Sequence, residues 1–358
     1  MTDIARHNYP ILDGMRGVAA IGVLLFHFKP LLPIALFKAG YLAVDLFFCL
    51  SGFVIALAYE RRLRDGLSLV RFAAIRLIRL WPLVALGVAL GVVQALAMPA
   101  IADPALRSAS AAAAVLVNLL LLPWLGGPGR NIAPVNPAHW SLFYELAINL
   151  AYAATAKWLS NRILVALVLA GFLLLAIGAA RFGNLHFGAM RDQLPFGIGR
   201  VTCAFFSGVL LFRWRDRLGA APFARHWWLA PALTALALTL PVGQTLRPWF
   251  DALFVLFGAP LLVWLGVASH APERALPCLN GLGRLSYPLY ALHFPLFLAA
   301  AGLAAHFPEV RVMIAFVAMA VACAASLLIA RWYDMPLRRA LTARFIMSPH
   351  FGSRAPRP

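Results

Sequence analysis

Charge is scarce in this sequence, and acidic charge is the scarcest. Charged residues make up 12% of the 358 residues, with 13 Asp and Glu against 31 Lys and Arg. Hydrophobic residues make up 63%, and the mean hydropathy is +0.83. Soluble domains do not reach such values. The composition therefore excludes an ordinary soluble enzyme and predicts a polytopic membrane protein.

Cysteine is also rare. Of the 4 cysteines, Cys49, Cys203 and Cys323 lie inside apolar runs, and Cys278 has no nearby partner. This excludes a disulfide framework and the ligand spacing of a zinc site, so we expect no bound metal. Buried packing is the expected role of these side chains.

Ten apolar runs are long enough to cross a hydrocarbon core of about 30 Å. They cover residues 11–30, 40–59, 78–98, 139–157, 162–180, 195–213, 227–243, 249–268, 285–305 and 310–332. A further stretch, 111–123, is shorter and precedes the Gly/Pro-rich "GGPGRNIAPVNP", which favours a re-entrant or interfacial segment. We predict an all-α, polytopic transmembrane bundle of about ten spans, with one domain over 1–335 and a basic tail over 336–358.

The net charge is +18, but the basic residues lie between the apolar runs and not in a solvated domain. We therefore expect no nucleic acid partner. Arginine clusters lie between Arg61 and Arg79 and between Arg213 and Arg225, and the positive-inside rule places both in the cytoplasm. Ten spans satisfy this, and both termini are then cytoplasmic, in agreement with the basic tail. Loop 99–138 becomes the large non-cytoplasmic feature.

We expect no cleavable signal peptide, since the first apolar run lacks a basic leader.

Ionisable residues inside spans cost about 2.5 to 3.5 kcal/mol at a helix centre and are candidate functional residues. Arg16 and His27 share nearly the same face of the first span, about 16 Å apart along its axis. Asp45 in the second span is placed to orient a histidine. The alternative for Asp45 is a structural acid that pairs two helices.

The fourth predicted span opens with "HWSLFYELAIN", in which Ser141, Glu145 and Asn149 form a polar stripe on an apolar helix. Its start faces the non-cytoplasmic side in the ten-span topology. A helix cap is the alternative role for Ser141.

The ninth predicted span places Ser286, Tyr290 and His293 on one face, in a helix loosened by Pro288 and Pro295. Such residues indicate a lined cavity near the cytoplasmic entry.

Arg76 and Arg79 lie where the third span leaves the cytoplasm, at the depth of Arg16. They are either determinants of topology or forked donors for phosphate groups. The candidates thus divide into two ends, which predicts two substrates. The cytoplasmic end holds these arginines with Tyr290 and His293, and the far end holds His27, Asp45, Ser141 and Glu145.

Five short motifs, in this order, resemble those of acyltransferase family 3, the polytopic bacterial O-acyltransferases of cell-envelope glycans. They are "LDGMRGVAAIGVLLFH", "VDLFFCLSGFVI", the Arg-x-x-Arg of Arg76 and Arg79, "HWSLFYE" and "LSYPLYALHFP". Near the C-terminus, "RWYDMPLRR" departs from the pattern, because Asp334 stands where the family more often has glutamate.

The resemblance implies an inner-membrane enzyme that takes an acyl group, usually acetyl, from cytoplasmic acyl-CoA. The acceptor would be a hydroxyl of an O-antigen, an exopolysaccharide or a lipid-linked saccharide, with membrane lipids around it. Cationic forks such as Arg16, Arg76 and Arg79 suit the phosphates of coenzyme A, with Tyr290 and His293 beside them.

Histidine titrates near neutrality, so His27 is the predicted base, oriented by Asp45. Glu145 and Ser141 would position the acceptor or stabilise charge. Direct transfer and an acyl-histidine relay both remain open. A transporter or flippase is the alternative function, since such residues also line transport paths. Related halves would favour it, and we detect none.

Overall fold

The computed structural model describes residues 9–219 and 225–346, and these form an all-α bundle, which confirms the predicted fold class. The helices are α1 (Pro10–Phe28), α2 (Ala43–Arg64), α3 (Leu69–Ala97), α4 (Ala111–Leu119), α5 (Trp140–Thr155), α6 (Asn161–Phe182), α7 (Leu194–Leu218), α8 (Leu229–Thr239), α9 (Arg247–Leu253), α10 (Ala259–Ala268), α11 (Leu276–His306), α12 (Arg311–Ile329) and α13 (Met335–Phe345). Single π-helical turns, Phe254–Gly258 and Ala330–Asp334, join α9 to α10 and α12 to α13.

Within the described ranges, 8 helical segments are long and apolar enough to cross a membrane. They correspond to eight of the ten predicted spans. The predicted spans 139–157 and 227–243 contain α5 and α8, which have 16 and 11 residues and fall short of the usual length of about 20. The 9-residue α4 lies in the 111–123 stretch and is too short to span.

Two helices begin nine residues earlier than their apolar runs. α3 begins at Leu69, where the Ser68 hydroxyl caps the helix by accepting from the Arg71 amide at 3.3 Å. α11 begins at Leu276. Arg71 and Arg76 near the start of α3, and Asn280, Gly281 and Arg284 near the start of α11, lower the hydropathy without interrupting either helix. The residues that follow, including Arg76 and His293, therefore lie deeper in the bundle than the sequence predicted.

Glycines allow the central helices to approach closely. A Cβ at Gly17 of α1 would lie 2.8 Å from the Cα of Leu282, so α1 packs directly on α11. A Cβ at Gly52 of α2 would lie 2.8 Å from the carbonyl carbon of Phe205 on α7. α1 and α11 run in the same direction, since Gly17 meets Leu282 and His27 meets His293.

The arginine-rich end of the bundle is here called the basic end. α1, α3 and α11 begin there, and α2 and α7 end there, where the Arg213 Nε lies 2.9 Å from Glu60. The predicted basic tail starts as α13, which continues α12 and lies beside α3, with Arg71 donating to the Ile346 carbonyl at 3.3 Å. The tail residues 347–358, with Arg354 and Arg357, lie outside the described residues.

The loop over 99–138 is fastened to α11 near the middle of that helix. Pro295 has no N–H to give to the Ala291 carbonyl, which therefore lacks its helical partner. Asn136 Nδ2 donates to this carbonyl at 2.8 Å, and His139 Nε2 lies 3.2 Å from it. Asn118 Nδ2 lies 3.2 Å from His139 Nδ1, so α4 joins the same buried network.

Candidate functional site

A pair of histidines joins α1 to α11 in the middle of the bundle. The Nδ1 atom of His293 lies 3.0 and 2.9 Å from the Leu289 and Tyr290 carbonyls. Because a carbonyl can only accept, the neutral ring carries its proton on Nδ1 and its Nε2 is an acceptor. His27 Nδ1 lies 3.0 Å from the Val23 carbonyl and 3.1 Å from His293 Nε2, so it too carries the proton.

This tautomer leaves the Nε2 atom of His27 with a free lone pair. No residue within 9–219 and 225–346 forms a hydrogen bond with that atom. Aromatic rings surround the imidazole, with Phe26 and Phe294 edge-on at 5.3 and 4.9 Å. The His27 imidazole therefore has one ring nitrogen, Nε2, whose lone pair has no hydrogen-bond partner among the described residues.

Ser141 and Tyr290 form the next contact toward the basic end. Their hydroxyl oxygens lie 2.5 Å apart, linking α5 to α11. The Tyr290 ring centroid lies 5.9 Å from that of His293, one helical turn further along α11. Both hydroxyls are buried, so this pair continues the polar path from the two histidines.

Glu145 lies one turn beyond Ser141 on α5 and meets Arg76 of α3. The Arg76 Nη2 atom lies 3.1 Å from Glu145 Oε1, which also accepts from the Ser51 hydroxyl at 3.2 Å. Arg76 Nε is buried without a hydrogen-bond partner among the described residues. An unsatisfied guanidinium donor at this position suits an anionic group of a ligand.

Two further arginines lie around Arg76 at the basic end. The Arg79 guanidinium is 5.3 Å from the centroid of the Tyr287 ring. Arg16 Nη1 lies 3.8 Å from Asp13, and Arg16 is within electrostatic range of both Arg76 and Arg79. The three predicted phosphate-binding arginines therefore form one cationic group.

Together these contacts form a polar column through the bundle. From the basic end, its members are Arg16, Arg79, Arg76, Glu145, Ser51, Ser141, Tyr290, His293 and His27.

The predicted division of the site into two ends is wrong for three residues. Tyr290 and His293 contact Ser141 and His27, not the arginines, because α11 begins at Leu276 and carries them to mid-bundle. Glu145 contacts Arg76, because the early start of α3 lifts that arginine by about two turns.

Asp45 does not contact His27. Its two carboxylate oxygens accept from Arg200 Nε at 3.0 Å and Arg200 Nη2 at 2.6 Å. Arg200 also donates to the carbonyls of Phe187 and Tyr41, and both members of the ion pair are fully buried. The predicted orienting contact from Asp45 is therefore wrong, and His293 occupies that position. The alternative role, a structural acid that pairs two helices, agrees with the geometry.

The sequence comparison identifies the family. The model of the acyltransferase 3 family, described as an acyltransferase domain, matches residues 9–331. This chain belongs to that family. It is also similar to "Protein 2 in picA locus" of Rhizobium radiobacter, with 34% identity over 199 residues, which cover 51% of this chain and 100% of that protein. No solved structure matches significantly. With its apolar helices, the chain is a multi-pass membrane acyltransferase.

Sequence reasoning missed the partner of Asp45 in this acyltransferase. Arg200 lies in "GIGRVT", inside an apolar run, so the rule that selected Asp45 could have selected it too. A second missed group lies nearby, where Tyr41 donates to Asp251 at 2.6 Å and accepts from Arg247 at 2.8 Å. Tyr41 of this group lies edge-on to Phe26, the neighbour of His27, at 5.5 Å between ring centroids.

Asp334 of the acyltransferase lies in the π-helical turn after α12 and pairs with Arg338 of α13. It lies within electrostatic range of Tyr287, whose ring the Arg79 guanidinium of the column faces, so it is near the basic end of the column. Among the described residues, no group of three or more His, Cys, Asp or Glu side chains could hold a metal ion.

Proposed function

We propose that this acyltransferase transfers an acyl group, usually acetyl, from acyl-CoA to a hydroxyl of a cell-envelope carbohydrate. The observation that carries the proposal is the polar column. It has the three arginines at one end, and near the other end it has His27 Nε2, a ring nitrogen without a hydrogen-bond partner among the described residues. A donor rich in phosphate suits the first, and an acceptor hydroxyl that must lose a proton suits the second.

The basic end would face the cytoplasm of a bacterial inner membrane, as the positive-inside rule requires. Acyl-CoA would enter there, with its phosphates held by Arg16, Arg76 and Arg79. The unpartnered Nε of Arg76 supports this assignment, because a phosphate oxygen would satisfy it. The acceptor would approach His27 from the opposite end, past Phe26 and Phe294.

In the direct reaction, His27 Nε2 takes the proton from the acceptor hydroxyl as its oxygen bonds to the thioester carbonyl carbon. The tetrahedral intermediate then loses the thiolate of coenzyme A, which receives the proton from His27. The products are the O-acyl ester and free coenzyme A, so atoms and charge balance. In the alternative relay, His27 Nε2 attacks the thioester carbonyl carbon and expels the thiolate of coenzyme A, which leaves an acyl-histidine. The acceptor hydroxyl oxygen then displaces His27 from the acyl group, and the hydroxyl proton passes to the thiolate.

Four other side chains of the column would assist this reaction. His293 accepts from His27 Nδ1, which holds the tautomer and stabilises the imidazolium that forms. Tyr290 and Ser141 supply hydroxyl donors at the depth where the thioester oxygen gains charge. Glu145 would hold Arg76 in place for the donor, a positioning role rather than contact with the acceptor.

The acceptor class is the one that the family resemblance implies. O-antigen, exopolysaccharide and lipid-linked saccharide all offer hydroxyls on the non-cytoplasmic side. Assaying purified protein with extracts from strains lacking one glycan each would identify the acceptor by loss of product.

The experiment that tests the proposal measures acyl transfer from radiolabelled acetyl-CoA by purified protein supplied with envelope extract. We expect the change His27→Ala to lower turnover by about 10² to 10⁴-fold, since it removes the general base. His306→Ala is the matched control, because His306 also lies on a site helix and makes the same local contact, to the Gly302 carbonyl at 2.9 Å.

Label that stays on wild-type protein without acceptor and is absent from His27→Ala would select the relay. Near-normal turnover of His27→Ala would contradict the proposal. Absence of both transfer and acetyl-CoA binding in the wild type would favour the transporter alternative.

A further inference from the structure

A second cationic cavity opens at the basic end, apart from the polar column. It has a volume of about 450 Å³ and lies between the first turns of α11 and the junction of α12 with α13. Arg284, Arg331 and Arg339 line it, together with apolar and small residues that include Gly281, Leu327 and Met335. The π-helical turn Ala330–Asp334 forms part of its wall, and such turns often mark functional sites.

The cavity is on the other side of α11 from the proposed donor site. Leu279 and Leu282 of α11 pack on the α1 glycines, beside Arg16. Gly281 and Arg284 are rotated by about 180° from that face at 100° per residue. A ligand bound here would therefore be separated from Arg16 by the body of α11.

The three arginines of this cavity carry uncompensated charge. Within residues 9–219 and 225–346, none of them lies within 4.0 Å of a carboxylate or donates a hydrogen bond to another residue. Arg331 has its guanidinium 5.1 Å from the Trp332 ring, and the lining contains no acidic residue. Three unpaired guanidinium groups around one cavity suit a phosphate group.

The surroundings of the cavity are apolar and face outward. Leu328 and Trp332, which flank it, are 60% and 70% exposed, and Leu327 at its rim is 46% exposed. In a membrane protein such a surface meets acyl chains. A ligand that combines a phosphate with long apolar chains matches both parts of the site.

We propose that this cavity binds the headgroup of an anionic phospholipid, with its acyl chains against the exposed face of α12. Basic pockets between helices at the cytoplasmic side of membranes have the chemistry for such headgroups. This site is independent of the acyl-transfer proposal, since it uses different residues and a different face of α11.

The test measures lipid retained by purified, delipidated protein after incubation with vesicles of phosphatidylglycerol and cardiolipin in phosphatidylcholine, detected by native mass spectrometry. We expect wild type to retain the anionic lipids preferentially. The triple change Arg284→Gln, Arg331→Gln, Arg339→Gln should reduce retention by about 10²-fold, or about fivefold for each arginine. The matched control is Arg311→Gln, an exposed arginine at the other end of α12.

Three results would overturn the proposal. They are equal retention of phosphatidylcholine, wild-type retention by the triple variant, and displacement of bound lipid by coenzyme A, which would assign the cavity to the donor. Should the triple variant fail to fold, Arg339→Gln alone gives the same comparison at an exposed side chain. None of these readouts depends on acyl transfer. The first two results would leave the proposed function unaffected, whereas displacement by coenzyme A would move the donor site away from Arg16, Arg76 and Arg79.

Discussion

Two polar pairs lie inside the same bundle and differ in what they leave unsatisfied. In the Asp45–Arg200 pair, both carboxylate oxygens and all three guanidinium nitrogens have protein partners, and both side chains are fully buried. In the His27–His293 pair, three of the four ring nitrogens form hydrogen bonds, and His27 Nε2 has no partner among the described residues. The first pair has no nitrogen or oxygen left for a ligand, whereas the second leaves one ring nitrogen, as the proposed function requires.

The largest effect is expected from removing the Asp45 carboxylate, which tests whether that pair is structural. Asp45→Ala leaves Arg200 charged, buried and uncompensated, so we expect the folded state to lose about 3 to 5 kcal/mol. The thermal unfolding midpoint in detergent and the yield of monodisperse protein measure the loss. The double change Asp45→Leu, Arg200→Met should recover most of it. A stable Asp45→Ala protein without transfer activity would restore the catalytic role and contradict the comparison.

The second change acts on the histidine pair itself. His293→Ala removes the acceptor of the His27 Nδ1 proton, and we expect turnover to fall by about 10 to 100-fold with KM for acyl-CoA little changed. The unfolding midpoint should move far less than in Asp45→Ala. His293→Gln keeps an acceptor oxygen and should recover part of the rate, which a merely structural role would not explain. His306→Ala should behave as wild type.

The third and smallest effect concerns the donor end of the column. Arg76→Gln should raise KM for acyl-CoA by about tenfold through the loss of one charge-assisted hydrogen bond, while turnover at saturation changes less. Arg61→Gln is the matched control, because Arg61 is 95% exposed at the same end of the bundle. Equal KM in both variants would return Arg76 to the role of a topology determinant.

Much of the fold followed from the sequence, because hydropathy reports which segments can cross a bilayer. The all-α class was predicted correctly, and eight of the predicted spans correspond to long apolar helices. The starts of α3 and α11 were predicted too late, because hydropathy falls at Arg71 and Arg284 although helical hydrogen bonding continues. The error displaced Arg76, Tyr290 and His293 in depth.

Neighbours across helices were the weaker part of the prediction. Helical periodicity gives the face on which a side chain lies, but not which other helix that face meets. Asp45 was therefore assigned to His27 although its partner is Arg200, 155 residues away in the chain. The pairing of His27 with His293 depends equally on the close packing of α1 on α11, which the spacing of residues in one helix does not specify.

The capture of the Ala291 carbonyl by Asn136 and His139 has a consequence for protein engineering. An exchange of the 99–138 loop between family members has to keep this contact. That loop is joined to the helix of His293 through a backbone oxygen that Pro295 leaves without its helical partner. A graft that keeps Asn118, Asn136 and His139 together with a proline at 295 preserves the joint. A graft that changes any of these residues loses the contact between the transplanted loop and the Ala291 carbonyl of α11.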